Sequence, residues 1–346
     1  MEIQTSIHQL HPRGAFRIAR KRTVPFDNVI LRVERDGVIG WGEASPNPYY
    51  GQSAEAVVEN LQALSGWLKS VRLQSVLDIA RAWEESWTML HPNRAAQCAL
   101  DLALWDWLAR KEGVTVTDLA HLHAPKAVTS FATIGLSSKE ELDAKIPELA
   151  GFPRVKIKSD AKADLEPARR VKAELGAIVG IDANCDWSIR ELPALATTFS
   201  QLGADFIEQP FPDARDEDLL CGSYPIPVLA DESCVLEEDV VRLARHFDGI
   251  NVKLVKCGGI TPALRMVRTA RELGMRTMVG CMLESSVLIA AGCVVAQHTD
   301  YADLDGAWLI ADDPCDGWRF DRGILSPPEA LGLGAEPRDG WGRPRA

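Results

Sequence analysis

Five short stretches between Val155 and Leu254 constrain the fold of this 346-residue chain more than any other feature. They are Val155-Lys-Ile-Lys158, Gly180-Ile-Asp-Ala-Asn184, Phe206-Ile-Glu-Gln-Pro210, Leu229-Ala-Asp-Glu-Ser233 and Ile250-Asn-Val-Lys-Leu254. Each is a short apolar run that reaches a charged residue. Lys158, Asp182, Glu208, Asp231 and Lys253 follow one another at spacings of 24, 26, 23 and 22 positions. That regularity extends through the C-terminal half. Strands are expected at 127–135, 153–158, 178–183, 204–208, 227–231, 249–253, 276–280 and 301–305, with helices between them at, for example, 163–175, 188–202, 237–246 and 260–274. Thr261-Pro262 suits a helix start, and Gly176, Gly203 and Gly274 suit helix ends. Eight strands alternating with helices predict an α/β fold, a (β/α)8 TIM-type barrel over 123–320. A doubly wound sheet also alternates, but no Gly-x-Gly-x-x-Gly follows a strand here.

Residues 1–122 have a different texture and read as an α+β domain. Asn28 to Arg35 is apolar and β-branched, and it runs into Asp36-Gly37, a hairpin signal, with Val38 to Glu43 as the returning strand. Two loops flank this hairpin, near 18–25 and 46–52. Ser53 is placed to cap a helix. Arg94 to Arg110 is apolar on most faces, which predicts a helix buried between other elements.

With 46% hydrophobic and 25% charged residues, the chain can bury a substantial core. Its net charge of −11 argues against nucleic acid as a partner. No run approaches the ~18–20 apolar residues of a membrane span, and no signal peptide is evident. The eight cysteines are scattered without a CxxC, so free thiols in a reducing cytoplasm are expected. Monomer and homo-oligomer are both left open.

In a barrel, strand ends meet at the catalytic mouth. Asp182, Glu208 and Asp231 would then end strands three, four and five. Three adjacent carboxylates repel one another unless a cation lies between them, and three hard oxygen donors suit one Mg²⁺. Lys158 on strand two and Lys253 on strand six would face each other across the mouth. A lysine beside a cation should lose proton affinity, and Lys156 adds positive charge next to Lys158, so a base near neutral pH is expected. The arrangement points to removal of a proton next to a substrate carboxylate, with epimerisation or racemisation if both lysines act.

These residues resemble the enolase superfamily, and more narrowly its muconate-lactonising branch, with Lys-x-Lys on strand two and Lys on strand six. Lys or His bases beside Mg²⁺ are an established property of that superfamily. The matching stretches are Val155 to Lys158, Asp182-Ala-Asn184, Glu208-Gln-Pro210, Ala230-Asp-Glu-Ser233 and Asn251 to Gly259. The resemblance implies a capping domain whose loops near 18–25 and 46–52 cover the substrate, with 321–346 returning to the cap. It also implies that Lys158 and Lys253 are the acid/base pair, that Lys156 contacts or supports the substrate, and that Asn184, Glu232 and Lys256 support the site.

Strand eight carries Asp303-Leu-Asp305, similar to the Asp-x-Asp of dipeptide epimerases, whose carboxylates hold the substrate's ammonium group. Strand eight lies opposite strand four, so a dipeptide reaching about 7 Å could span from the metal to Asp303 and Asp305. Thr133 on strand one and Arg22 in the first loop complete the expected substrate contacts. The basic run Arg20-Lys21-Arg22 suits an acidic second residue, as in the L-Ala-D/L-Glu epimerases that process cell-wall peptides, whereas Tyr49 and Tyr50 could line an apolar pocket. The function expected is thus Mg²⁺-dependent dipeptide epimerisation by two-lysine proton transfer. Cycloisomerase, o-succinylbenzoate synthase and N-acylamino acid racemase chemistry share the scaffold, but their substrates carry no free ammonium for Asp303 and Asp305. A non-catalytic binding relative would not need both lysines.

Overall fold

The computed structural model describes residues 1–13, 25–121 and 124–338. Most of the first loop, including Arg20, Lys21 and Arg22, lies outside the described residues. Strands β1 (Glu2–Leu10), β2 (Phe26–Arg35) and β3 (Val38–Ala44) form an antiparallel meander. Asp36 and Gly37 turn the hairpin with φ of 55° and 75°, the positive pair that a two-residue turn of this kind needs. A helix at Arg94–Glu112 packs on β3. Its backbone comes so close that a Cβ on Gly42 would lie 1.9 Å from the Ala99 carbonyl oxygen. Every residue from Ala95 to Ala109 is buried, as the continuous apolar pattern predicts. Asn93 caps its start, and Gly113, at φ 71°, ends it. Ser53 caps the helix Ala54–Ala63.

The eight parallel strands of the second region run in sequence order. They are Ala132–Ile134, Arg154–Lys158, Ile178–Asp182, Ala204–Glu208, Val228–Ala230, Gly249–Lys253, Arg276–Gly280 and Tyr301–Asp303, here called barrel strands one to eight. Pairing of Ser130 with Ala302, and a bond from the Phe131 N–H to the Ala302 carbonyl (2.8 Å), join strand eight to strand one. The strand expected at 127–135 is broken. Val128–Thr129 pairs with Ile324–Ser326 in a small sheet outside the barrel, and only Ala132–Ile134 joins the barrel strands. The helix expected at 163–175 is Glu166–Arg170 followed by a wider π turn, Val171–Leu175. After strand eight a single helical turn, Gly306–Leu309, stands where a full helix would close the repeat.

Side chains alternate along a strand, so residues two apart share a face. The lower inward layer is apolar: Phe131, Phe206, Leu229, Met278 and Tyr301 plug the floor. The Phe206 ring fills the space over Gly180, where a Cβ would meet it at 2.4 Å. Two residues further along the same strands stand Thr133, Asp182, Glu208, Asp231, Gly280 and Asp303. The charged layer therefore rests on a packed apolar one. The chain then returns to the first domain. The Leu333 N–H bonds Asp106 (2.7 Å), the Val116 N–H bonds the Gly332 carbonyl (2.8 Å), and the Gly332 N–H bonds the Val114 carbonyl (3.0 Å). Among the described residues no helix is long and apolar enough to cross a membrane. None of the eight cysteines forms a disulfide.

Candidate active site

Pairing between strands fixes the height of each charge. Lys158, Asp182 and Glu208 are partners in register across strands two, three and four. Lys253, Gly280 and Asp303 are partners across strands six, seven and eight. Asp231 falls one residue beyond strand five, and Asp305 lies two beyond strand eight, in the turn before the short helix. Strands two and six are four apart in the ring, so Lys158 and Lys253 rise from opposite walls. The three carboxylates lie on the strands between them.

Burial here is nearly complete: Asp182 and Glu208 are 0% exposed and Asp231 is 3% exposed. Each carboxylate is held by lysine. Lys158 Nζ lies 2.5 Å from Asp182 Oδ2, and Lys253 Nζ lies 2.7 Å from Asp231 Oδ2. Lys256 Nζ lies 2.7 Å from Asp231 Oδ1 and also bonds the Asp231 carbonyl. Lys156, 2% exposed, lies 3.0 Å from Glu208 Oε2 and 3.4 Å from Asp182 Oδ2, and it contacts Asp303, two strands away round the ring. Thr133 holds Asp305 through its backbone N–H at 2.6 Å. The Asn184 N–H bonds Asp182 Oδ1 (2.9 Å), and Asn184 takes a left-handed φ of 46°. The second loop presents Tyr50 at the mouth, within the fields of Lys256, Asp231, Lys253 and Glu232, while Tyr49 packs edge-on against it.

The charges set one another's protonation. Burial, followed by the charge of Asp182, pushes Glu208 up to about 8. Burial also opposes ionisation of Asp231, but Lys253 and Lys256 outweigh it and hold this carboxyl below the usual range. Lys158 and Lys156 do the same for Asp182. Burial disfavours the Lys253 ammonium, yet Asp231 and Glu208 raise it well above an ordinary lysine. The protein's own carboxylates therefore oppose the loss of proton affinity expected beside a cation. Asp305 is pushed up to about 7 by burial and by Asp303.

Among the described residues no group of three or more His, Cys, Asp or Glu side chains stands as a ready metal cage, and each of the three carboxylates faces a lysine. The donor chemistry nonetheless fits a hard divalent cation. Three buried carboxylates stand on neighbouring strands, burial and the charges of Asp182 and Asp231 raise Glu208, and oxygen donors are what Mg²⁺ prefers. Unpaired acceptors also remain: Glu232 Oε2 and Asp303 Oδ1 are buried without a hydrogen-bond partner.

Three groups at the mouth carried no assigned role in the sequence. Asn251, fully buried, donates to Glu208 Oε1 at 2.7 Å. It stands two residues before Lys253 on the same strand face, a signal that was available. Glu284, in the loop after strand seven, is buried and pushed up to about 8 by burial and by Glu43. Gln209 ties two strand ends together.

An eight-stranded barrel with a separate α+β domain, and with opposed lysines flanking three carboxylates at its mouth, defines a class of acid/base enzyme scaffold. Residues 3–120 match the family "Mandelate racemase / muconate lactonizing enzyme, N-terminal domain", and residues 141–341 match "Enolase C-terminal domain-like". The chain belongs to the enolase superfamily, in its mandelate racemase/muconate-lactonising branch. It is 35% identical to an L-Ala-D/L-amino acid epimerase of Flavobacterium johnsoniae over 334 residues, covering 94% of this chain and 97% of the relative. It is 34% identical to a hydrophobic dipeptide epimerase of a Flavobacteria bacterium, covering 95% and 97%. The solved structure of a dipeptide epimerase from Methylococcus capsulatus, complexed with Mg and the dipeptide L-Arg-D-Lys, superposes with a TM-score of 0.88 at 33% identity, covering 96% of this chain and 98% of that one.

Proposed function

We propose that this protein is a Mg²⁺-dependent dipeptide epimerase that inverts the α-carbon of the C-terminal residue. The observation that carries the reading is the placement of Lys158 and Lys253 on opposite walls, with the carboxylates between them and Asp303 on the wall facing Glu208. Asp182, Glu208 and Asp231 would hold one Mg²⁺ per active site. When bound, the ion supplies positive charge beside the substrate carboxylate, where negative charge collects as the α-proton leaves. One lysine removes that proton from its face as a neutral amine, and the other, as an ammonium, returns a proton to the opposite face. Lys253 is now paired with Asp231, which favours its ammonium form. A cation held there would compete with Lys253 for the Asp231 oxygens and so would weaken the hold on that proton. Asp303 and Asp305 receive the substrate ammonium, with Thr133 fixing Asp305 and the unpaired Asp303 Oδ1 available to accept.

Lys156 links the two ends of the site by touching both Glu208 and Asp303. Asn184 and Lys256 brace Asp182 and Asp231, and Glu232 adds charge near Lys253. For the second residue, the basic run Arg20-Lys21-Arg22 favours an acidic side chain, with Arg22 as its partner, hence an L-Ala-D/L-Glu preference and a role in cell-wall peptide turnover. Eight cysteines without a disulfide fit the cytoplasm.

The deciding experiment is deuterium wash-in from D₂O on a dipeptide library with Mg²⁺, read by mass spectrometry. Exchange at the C-terminal α-carbon, strongest for L-Ala-L-Glu, is expected. No exchange on any free dipeptide would overturn the reading, and faster exchange on N-acylated amino acids would favour the racemase alternative.

A further inference from the structure

The Gln209 side chain lies immediately after Glu208, is 0% exposed, and touches no open space. Its Oε1 accepts from the Asp231 N–H (2.8 Å) and the Ser233 N–H (3.3 Å). Its Nε2 donates to the Phe211 carbonyl and to Ser233 Oγ, both at 2.8 Å. The amide orientation is fixed by chemistry, because backbone N–H groups only donate and a carbonyl only accepts. Both donor hydrogens and both lone pairs are thus used. Ser233 Oγ–H donates a hydrogen bond to Asp216 Oδ1 (2.6 Å), and Arg242 Nη1 holds the other Asp216 oxygen (2.9 Å).

The backbone at Gln209 is equally committed. Its φ of 36° is left-handed, a strained conformation for a non-glycine residue that persists only where surrounding contacts impose it. Its N–H bonds the Leu229 carbonyl (2.8 Å) on strand five. Its carbonyl accepts from Cys185 N–H (2.9 Å), in the loop that follows Asp182. One residue therefore bonds the loop beyond strand three, extends strand four and grips the end of strand five. Asp231 stands beyond the last residue of strand five, so the strand ladder alone does not place it; the Gln209 amide does.

We infer that Gln209 is a positioning residue that sets the separation of Glu208 and Asp231 and thereby the affinity of the site for a divalent cation. This rests on the proposed metal roles of those carboxylates. No donor with a single polar atom reproduces the wedge. Leucine removes all four side-chain bonds and leaves the backbone ones, and glutamate keeps the acceptors facing Asp231 and Ser233 while losing both N–H donors.

The test is isothermal titration of the purified protein with Mg²⁺, without substrate, for wild type, Gln209→Leu, Gln209→Glu and Ser233→Ala, each first shown to be folded by circular dichroism. Wild-type binding is expected, with the dissociation constant weakened about 10- to 100-fold in Gln209→Leu, the usual scale for removing a group that orients a metal ligand. Gln209→Glu should fall between the two, and Ser233→Ala, which keeps the Gln209–Asp231 bond, should stay near wild type. Should Gln209→Leu not fold, Gln209→Glu carries the comparison. Wild-type affinity in folded Gln209→Leu, or in Gln209→Glu where that variant decides, would overturn the inference. Wild-type protein that binds no Mg²⁺ would instead overturn the metal reading on which it rests.

Discussion

Two sets of buried acids in this molecule look alike by burial and differ in what holds them. Where the first domain meets the barrel, Asp101 accepts the Thr261 N–H (2.9 Å) and Thr261 Oγ1–H (2.6 Å). Asp106 accepts the N–H groups of Trp41 (2.9 Å) and Leu333 (2.7 Å) and the Arg110 guanidinium. Glu43 accepts from Asn28, from Ser285 N–H and Oγ–H, and from the Leu288 N–H. These partners are mostly backbone groups and short hydroxyls, fixed in place, and the acids join segments distant in sequence. At the mouth, Asp182, Glu208, Asp231 and Asp303 are held largely by lysine ammoniums on flexible stems. Fixed donors build structure, whereas mobile cations can let go. Burial of a carboxylate therefore does not by itself mark a site; the kind of partner does.

The largest effect should come from the mouth lysines. Lys158→Ala or Lys253→Ala is expected to lower epimerisation at least about 10³-fold, since acid–base groups contribute ~10²–10⁴ and one face of the carbon loses its only base. Exchange of the α-proton in D₂O should survive from one stereoisomer only, with the surviving isomer opposite in the two variants. Symmetrical loss from both isomers would break the two-base scheme.

Asp303→Asn comes next. Removing one charge-assisted bond to the substrate ammonium should lower kcat/KM on a free dipeptide about 10- to 100-fold, while the melting temperature changes little. An unchanged kcat/KM would remove Asp303 from the ammonium site.

Asp106→Ala tests the other set. It strands two buried N–H groups and should cost about 2–4 kcal/mol in chemical denaturation, with the folded fraction keeping wild-type kcat. A loss of kcat at full folding would erase the contrast between the two sets.

A fourth effect concerns pH. Burial pushes Asp101 up to about 7 from 3.8. The folded chain then binds this proton more tightly than the unfolded chain between those values, so Asp101 makes stability fall as pH rises from about 4 to about 7 and adds no slope above that. Asp101→Asn should flatten that part of the profile in thermal melts at successive pH values. An unaltered slope would show that Asp101 ionises normally when buried.

The barrel and its charged mouth were legible in the sequence because both follow from local rules. Strand alternation aims residues two apart at the same face, and each repeat returns the chain to the same end of the barrel. Lys158, Asp182, Glu208 and Lys253 end their strands as those rules require. The break in strand one at Ser130 and Phe131, and the single helical turn after strand eight, were not legible, because pairing with Ile324–Ser326 and closure against Ala302 involve segments far away in the chain.

The sequence by itself determined which charges reach the mouth and in what order around the ring. Only the tertiary structure decided which charge meets which. Lys156 contacts Asp303 across 147 positions, and Glu43 reaches Ser285 across 242. Gln209 is read in a strand-end motif as one more polar residue, and only the folded chain shows it wedged against Asp231. Such pairings depend on closure of the ring and on the seating of the first domain, which no short window of residues encodes.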